Sequence, residues 1–378
     1  GTADLYVYFY ARALQLLRPG GVESIINFGD LPLFGAIAYP QIITFRNQAP
    51  GAEHSVRALK VEDLAIVDHL SEAVQEKAWR QPLTSLRDEV WTLQRPAMLN
   101  LLRKVRSSGI TLKGYIEDEF YIGIKTGRNR VFIIDNTTRE ELIDADPKSA
   151  EVIKPWLRGR NVKRWQIDSD AEYVIALHSS TDQNAKTPWG KFEEEEAEAV
   201  FEATYPVVYR YMKQYEKSLR KRSDQGKFWW ELRSCTYYHI FAEPKIVWPD
   251  IAKRCEFTLD DSGAYPDMTL FAIPTNDLYL LGILNSRVVE WFILNTSSQI
   301  QRRFLRFKRV YMRQVPIPTP TEAQRDAIET LVRQLLDVEG EGPQAEAWER
   351  ALNAHVYEVY DLTPAEIALI EEATAGSD

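Results

Sequence analysis

The stretch from Met268 to Leu336 constrains the fold most. It opens with a short apolar strand, Thr269 to Ile273. Leu280, Leu281, Leu284, Val288 and Trp291 then recur at helical spacing and predict one helix from Asn276 to about Leu294. From Trp291 to Pro320 there is no acidic residue, yet Arg302, Arg303, Arg306, Lys308, Arg309 and Arg313 all fall there, interleaved with Phe304, Phe307 and Tyr311. The whole chain has a formal charge of −9, so this local excess is not background. Pro316, Pro318 and Pro320 force an extended segment. Thr321 with Gln324 forms a capping box and starts a new helix. The stretch therefore reads as a positive surface held between two helices. Cations with aromatic neighbours suit a phosphate backbone, because they replace condensed counterions. The competing reading is a solvated cationic loop.

At 378 residues the chain has room for two or three domains. No apolar run approaches the roughly 20 residues that span a bilayer. The opening residues lack the basic start and cleavage site of a signal peptide. Cys235 and Cys255 are too few for a disulfide framework and have no metal-ligand spacing, so a cytoplasmic protein is expected. The acidic net charge is unevenly placed. Residues 193–198 are nearly all glutamate, the tail after Thr321 is acidic, and the middle carries the basic clusters. Overall charge says little about a local binding face.

In chain order, residues 3–18 read as a buried helix stopped by Pro19-Gly20-Gly21. Val22 to Phe28 and Gln41 to Arg46 read as strands, and Gly51 to Arg57 as a linker. Val61 to Glu76 reads as an amphipathic helix, with Leu64, Val67, Leu70 and Val74 on one stripe and a structural His69 near it. Trp79 to Leu93 is expected to be extended, and Pro96 to Val105 helical. Phe120 to Ile124 and Arg130 to Ile134 are expected to form a hairpin around Lys125-Thr126-Gly127-Arg128-Asn129, where Gly and Asn supply positive φ. The spacing of a phosphate-binding P-loop is absent there. Between Val152 and Ile167 lie Lys154, Arg158, Arg160, Lys163 and Arg164 and no acid, with Gly159 expected in a turn that a side chain would oppose. Tyr173 to Leu177 reads as a strand. Phe192 to Arg222 reads as a helix, acidic first and basic last, as the helix dipole favours. Trp229, Trp230 and Tyr237 fill a core or stack on bases, with core preferred because Pro244 to Trp248 begins a buried strand. Asp260 to Gly263 reads as a hairpin turn. After the helix Thr321 to Val338, a Gly-rich break leads to a helix from Ala345 to Tyr360, and Thr363 with Glu366 caps a last helix.

Several of these blocks resemble restriction-modification proteins. "LLGILNSRVVEWFI … FKRVYMRQVPIP", "GIKTGRNRVF", "IKPWLRGRNVKRW" and "LNAHVYEVYDLTPAEIALIEE" are similar to elements of the TaqI-like specificity domain of adenine-specific methyltransferases, and to type I specificity subunits. The first 50 residues, with helix, Pro-Gly-Gly and strands, are similar to the last third of a class I methyltransferase fold. The resemblance implies an α+β, mixed-sheet DNA target recognition domain with flanking helices, preceded by a partial α/β methyltransferase-fold remnant. It implies boundaries of 1–50 for that remnant, 51–110 for a linker and helical connector, 111–320 for the recognition domain and 321–378 for spacer helices. Lys125, Thr126, Arg128, Asn129, Arg130, Arg160, Lys163, Arg164, Arg302, Arg303, Arg306, Lys308 and Arg309 are then the expected DNA-binding residues, on one basic face. Arg128 and Asn129 are the expected base readers.

The family's Gly-rich loop for S-adenosylmethionine and its Asn-Pro-Pro-Tyr-type motif are not found here, and no Pro-Pro dipeptide occurs in the chain. The resemblance therefore implies no cofactor in this chain, S-adenosylmethionine in the full-length parent, and double-stranded DNA and an upstream methyltransferase domain, possibly with a nuclease, as partners. Glu243-Pro244-Lys245 has nuclease-like spacing without a partner Asp and reads as a chance match. The five histidines are scattered, and no metal site is expected. Two readings compete with a recognition module. One is an enzyme complete in itself. The other is a protein-interaction or specificity-subunit-like module that binds a separate methyltransferase or nuclease subunit.

Overall fold

The computed structural model describes residues 21–29, 31, 33, 40–49, 51, 53–61, 63–83, 95–168, 170–182, 184, 187–297 and 304–375. The expected helix over residues 3–18 and most of the expected extended segment 79–93 lie outside the described residues, as do Arg302 and Arg303. The chain divides into two compact units, Gly1–Lys104 and Val105–Asp378.

The first unit is built on a four-stranded sheet ordered Gln41–Arg46, Gly21–Asn27, Ser55–Lys60, Trp79–Pro82. Gly21–Asn27 runs antiparallel to the first neighbour, with Ile25 opposite Ile43, and parallel to the third, with Ile25 opposite Ala58. Ser55–Lys60 replaces part of the expected linker. Its alternation is short and its pairing partner lies some thirty residues away, so the local pattern does not reveal it. One face buries Ile26, Phe28, Leu59, Val61 and Ala73, and the other buries Val22, Ile25 and Val56. The helix expected from Val61 is two pieces, a 3-10 turn Leu64–His69 and an α-helix Leu70–Lys77. Val61 instead extends the sheet, its N–H donating to the Asn27 carbonyl at 2.8 Å. His69 is exposed beside Glu72 and serves no core.

The second unit mixes helices with several small sheets. Its central sheet is antiparallel throughout, ordered Thr258–Asp260, Lys245–Pro249, Leu270–Ile273, Tyr121–Ile122. Every residue of Lys245–Pro249 and Leu270–Ile273 is buried. A second sheet is ordered Tyr265–Pro266, Ile153–Leu157, Tyr173–Ile175, Ile133–Ile134. The two expected strands around 120–134 therefore do not form a hairpin. Tyr121 pairs with Ala272 and Ile134 with Tyr173, in different sheets, and a short helix Asn129–Phe132 stands between them. Residues 260–263 do turn, with Gly263 at φ +71°, but they also lead from one sheet to the other.

The helix expected over 276–294 is two buried helices, Leu278–Leu284 and Arg287–Thr296. Asn285 breaks it. Its amide donates to the Phe257 carbonyl at 2.8 Å and its oxygen accepts from the Phe257 N–H at 3.1 Å. Ser286 then caps the second helix by accepting from Val289 N–H. The 192–222 region is likewise three helices, Glu194–Thr204, Pro206–Lys213 and Glu216–Leu219, because Pro206 starts a new first turn. Trp189, Phe201, Phe228, Trp229 and Trp230 form the aromatic core against them, so the two adjacent tryptophans are core residues. Glu322–Asp337 and Pro364–Thr374 carry the expected capping boxes at Thr321/Gln324 and Thr363/Glu366, with Pro343–Val359 between. At Gly282 a Cβ would come within 2.8 Å of Ile328 and 3.0 Å of Val332, so the last helices pack hard against Leu278–Leu284.

Candidate nucleic-acid interface

Three basic segments, far apart in sequence, meet at one turn, residues 266–270. The Ile124 N–H donates to the Pro266 carbonyl at 2.9 Å and the Gly123 N–H to the Leu270 carbonyl at 2.9 Å, which brings Lys125 to the turn's edge. The Asp267 N–H donates to the Leu157 carbonyl at 2.8 Å, and the Gly159 N–H to Thr269 Oγ1 at 3.1 Å, which brings in Arg158 and Arg160. The Asp250 N–H donates to the Thr269 carbonyl and the Phe307 N–H to the Asp250 carbonyl, both at 2.8 Å, which brings in Arg306 and Lys308. Two glycines allow this density. A Cβ at Gly123 would lie 1.9 Å from the Asp267 carbonyl oxygen, and one at Gly159 would lie 2.6 Å from Thr269 Oγ1. Gly159 opens a 3-10 turn, as expected, and what opposes a side chain there is the close approach of Thr269 rather than a left-handed backbone.

The loop after Gly123 is rigidly built. Thr126 is buried, its hydroxyl donating to Asn129 Oδ1 at 2.6 Å and accepting from the Arg128 N–H at 3.1 Å. Gly127 sits at φ +68°, where a Cβ would also meet the Asp224 carbonyl at 2.6 Å. Beneath the loop lies Arg222, which no local sequence pattern marks. Its guanidinium donates to the carbonyls of Thr126 (2.7 Å), Trp229 (2.8 Å) and Glu231 (2.8 Å), and lies 4.5 Å from the Phe132 ring centroid. Burial pushes its pKa down to about 10, so it stays charged at neutral pH. Lys125, Arg128 and Arg130 are exposed around this support and have no ion pair among the described residues. Thr126 is therefore a structural residue and not a contact. Asn129 is exposed, but its oxygen is already committed to Thr126.

Arg306 and Lys308 are half-buried. Arg309 is half-exposed, paired with Asp118 at 3.1 Å and placed 5.8 Å from the Phe120 ring. Arg313 takes the same carboxylate at 2.9 Å. Burial raises the Asp118 pKa, but the bond and charge of Arg309, with Arg313 and Lys113, outweigh it and hold the carboxyl below its ordinary value.

The remaining basic segment is mostly neutralised. Arg158 pairs with Glu172, and Arg160 with Asp170 at 2.7 Å. Lys163 is exposed on the tight hairpin Val162–Lys163/Gln166–Ile167. Arg164 corrects the expectation outright. It is buried, pairs with Glu349 at 2.8 Å and donates to the Asn285 carbonyl at 2.6 Å, so it locks the hairpin to helices Pro343–Val359 and Leu278–Leu284. The three clusters therefore do not share one face in full. Lys125, Arg160, Arg306 and Lys308 belong to segments gathered at the turn, while Arg164 points inward.

The Asp267-x-Thr269 turn is likewise unmarked by any basic run. Asp267 Oδ1 accepts from the Thr269 N–H at 2.8 Å, an Asx-turn that the residue types alone could have suggested. Of the Glu-x-Lys pair, Lys245 is fully buried against Asp260 at 2.6 Å, while Glu243 is exposed. Among the described residues no His, Cys, Asp and Glu set could hold a metal ion.

Comparison with known proteins follows the same segments. Residues 154–317 match the TaqI-like C-terminal specificity domain. The match covers less than half of this chain and lies wholly within its second unit. Type II methyltransferase M.BstVI of Geobacillus stearothermophilus is 24% identical over 294 residues, covering 76% of this chain and 47% of that protein. M.XhoI of Xanthomonas vasicola is 24% identical over 364 residues, covering 84% of this chain and 62% of that protein. M.PaeR7I of Pseudomonas aeruginosa is 21% identical over 379 residues, with 88% and 62% coverage. The chain thus spans less than two thirds of these relatives. The type IIL restriction-modification enzyme MmeI, solved in complex with DNA, shares the fold at a TM-score of 0.56 and 13% identity, over 98% of this chain and 48% of that one. The matched stretch covers the central turn and the Arg306–Arg309 segment, and begins after the Lys125–Arg130 loop.

Proposed function

We propose that this chain is the sequence-specific DNA-recognition part of a restriction-modification methyltransferase. It directs an upstream catalytic domain of the parent protein to adenine N6, with S-adenosylmethionine bound in that domain. Residues 1–50 are the end of the catalytic fold, and the segment up to about residue 110 connects it to the specificity domain. The observation that carries the reading is the gathering of three basic segments at residues 266–270, two of them inside the stretch that matches the specificity domain. Lys125, Arg128, Arg130, Lys163, Arg306, Lys308 and Arg309, with Arg302 and Arg303, grip phosphates, and a smaller set reads bases; Arg128 departs here from the base-reading role expected of it, because it shares one exposed loop with Lys125 and Arg130. Among the described residues no helix is long and apolar enough to cross a membrane.

The test is binding of labelled duplex DNA to the 378-residue chain across a salt series. The reading requires log K to fall linearly with log salt, as counterion release demands. It also requires no saturable binding of S-adenosylmethionine to this chain by calorimetry. Salt-independent or absent DNA binding overturns it.

A further inference from the structure

We infer that the turn around Met268 reads bases, with Met268 making an apolar contact in a groove of the duplex. This rests on the proposed DNA-recognition reading and deepens it. The first observation is exposure. Met268 is 45% exposed, Ile251 45% and Ile122 41%, against a unit whose other large apolar side chains are mostly buried. The second is placement. Ile122 precedes Gly123, which donates to Leu270. Ile251 follows Asp250, which donates to Thr269. The three apolar residues therefore lie at the same end of the central strand Leu270–Ile273, which Met268 precedes and which stands between Lys245–Pro249 and Tyr121–Ile122 in the sheet. The third is their rim. Ile251 pairs directly with Arg306, and Lys125 lies two residues beyond Gly123.

An apolar tip within a cationic rim fits DNA better than it fits a protein partner. Phosphates can satisfy Lys125, Arg306 and Lys308, while a methionine gains nothing from a phosphate. In the major groove such a side chain meets the thymine methyl, and in the minor groove it can wedge between base steps. The turn is also preorganised. Asp267, Thr269 and Leu270 are each held by hydrogen bonds, so presenting Met268 needs little further ordering of the backbone.

The experiment first selects a preferred duplex from a random-sequence pool with the wild-type chain. Affinities for that duplex and for an unrelated one are then measured at fixed salt for wild type, Met268→Ala and Met268→Leu. Met268→Ala is expected to lower the ratio of the two affinities by about 5- to 100-fold, the loss typical of one base contact, with the salt slope and the affinity for the unrelated duplex unchanged. Met268→Leu should retain most of the ratio. Thermal melting of each variant should match wild type, because the side chain is exposed. The inference is overturned if Met268→Ala weakens both duplexes equally, leaves the ratio intact, or instead changes self-association. Binding of all duplexes by the wild-type chain with no preference overturns it together with the sequence-specific reading on which it rests. Failure of the wild-type chain to bind any duplex is a different result, which rejects the recognition reading itself.

Discussion

Two segments of this chain look alike in sequence and behave oppositely in the fold. Residues 123–130 read GIKTGRNR and residues 158–165 read RGRNVKRW, and both are basic and free of acids. In the first, Lys125, Arg128 and Arg130 stand exposed on a loop whose support, Arg222, is itself a buried cation bound to carbonyls. In the second, Arg158, Arg160 and Arg164 are met by Glu172, Asp170 and Glu349. Of these carboxylates, Glu349 comes from a helix nearly two hundred residues away. The sign of a charge run therefore does not decide whether it binds a partner. What decides is whether a distant segment brings a carboxylate to it, and that is fixed by topology.

The contrast can be broken most severely at Arg222. Arg222→Ala should strand three buried carbonyls that now accept from one guanidinium, and should destabilise the second unit by about 3 kcal/mol or more. Urea denaturation measures this, and the exposed loop should lose DNA affinity with it. Arg164→Ala should cost about 3 kcal/mol by the same assay, since it strands the Asn285 carbonyl and leaves Glu349 with the Trp165 indole N–H but without its cation.

A pH effect of similar size is expected from His178. It stacks on Tyr238 at 4.1 Å and shares a hydrogen bond with the Tyr265 hydroxyl at 3.0 Å, and burial lowers its pKa to about 4. Its folded pKa lies below the unfolded value near 6.5. Below pH 6.5 the unfolded chain therefore takes up a proton that the folded chain refuses. Stability should be full above about pH 6.5 and fall as pH drops toward 4, by roughly 2–3 kcal/mol. A His178→Gln variant whose stability keeps the same slope over that window contradicts this assignment.

Smaller effects sharpen the comparison further. Thr363→Ala removes a capping box and should cost about 1 kcal/mol in melting experiments while leaving DNA affinity nearly unchanged. Lys125→Ala should change stability by less than about 0.5 kcal/mol, because the side chain is exposed and unpaired among the described residues.

Features governed by neighbours in the chain were legible in the sequence. Thr321 with Gln324 and Thr363 with Glu366 close their capping boxes as read, because a cap depends on residues three apart. The proline-rich segment begins as a strand, Pro316–Ile317, which pairs with Ile110–Thr111. Features governed by distant partners were not legible. Alternation around Tyr121 and Ile134 marks strands but cannot say that their partners are Ala272 and Tyr173. The helix break at Asn285 depends on the Phe257 backbone. The site shows the same division. The exposed loop and the Arg306–Arg309 segment were visible as basic runs, while the turn that gathers them, Asp267–Thr269, carries no positive charge.

The most direct test of the account compares salt dependence in two variants. Log K for duplex DNA is measured against log salt for wild type, Arg128→Ala and Arg164→Ala, each at a temperature where the protein is folded. The account predicts that Arg128→Ala reduces the slope by roughly 1, as loss of one phosphate contact does, while Arg164→Ala leaves the slope unchanged despite its lower stability. Equal slopes for wild type and Arg128→Ala, or a reduced slope for Arg164→Ala, would contradict it.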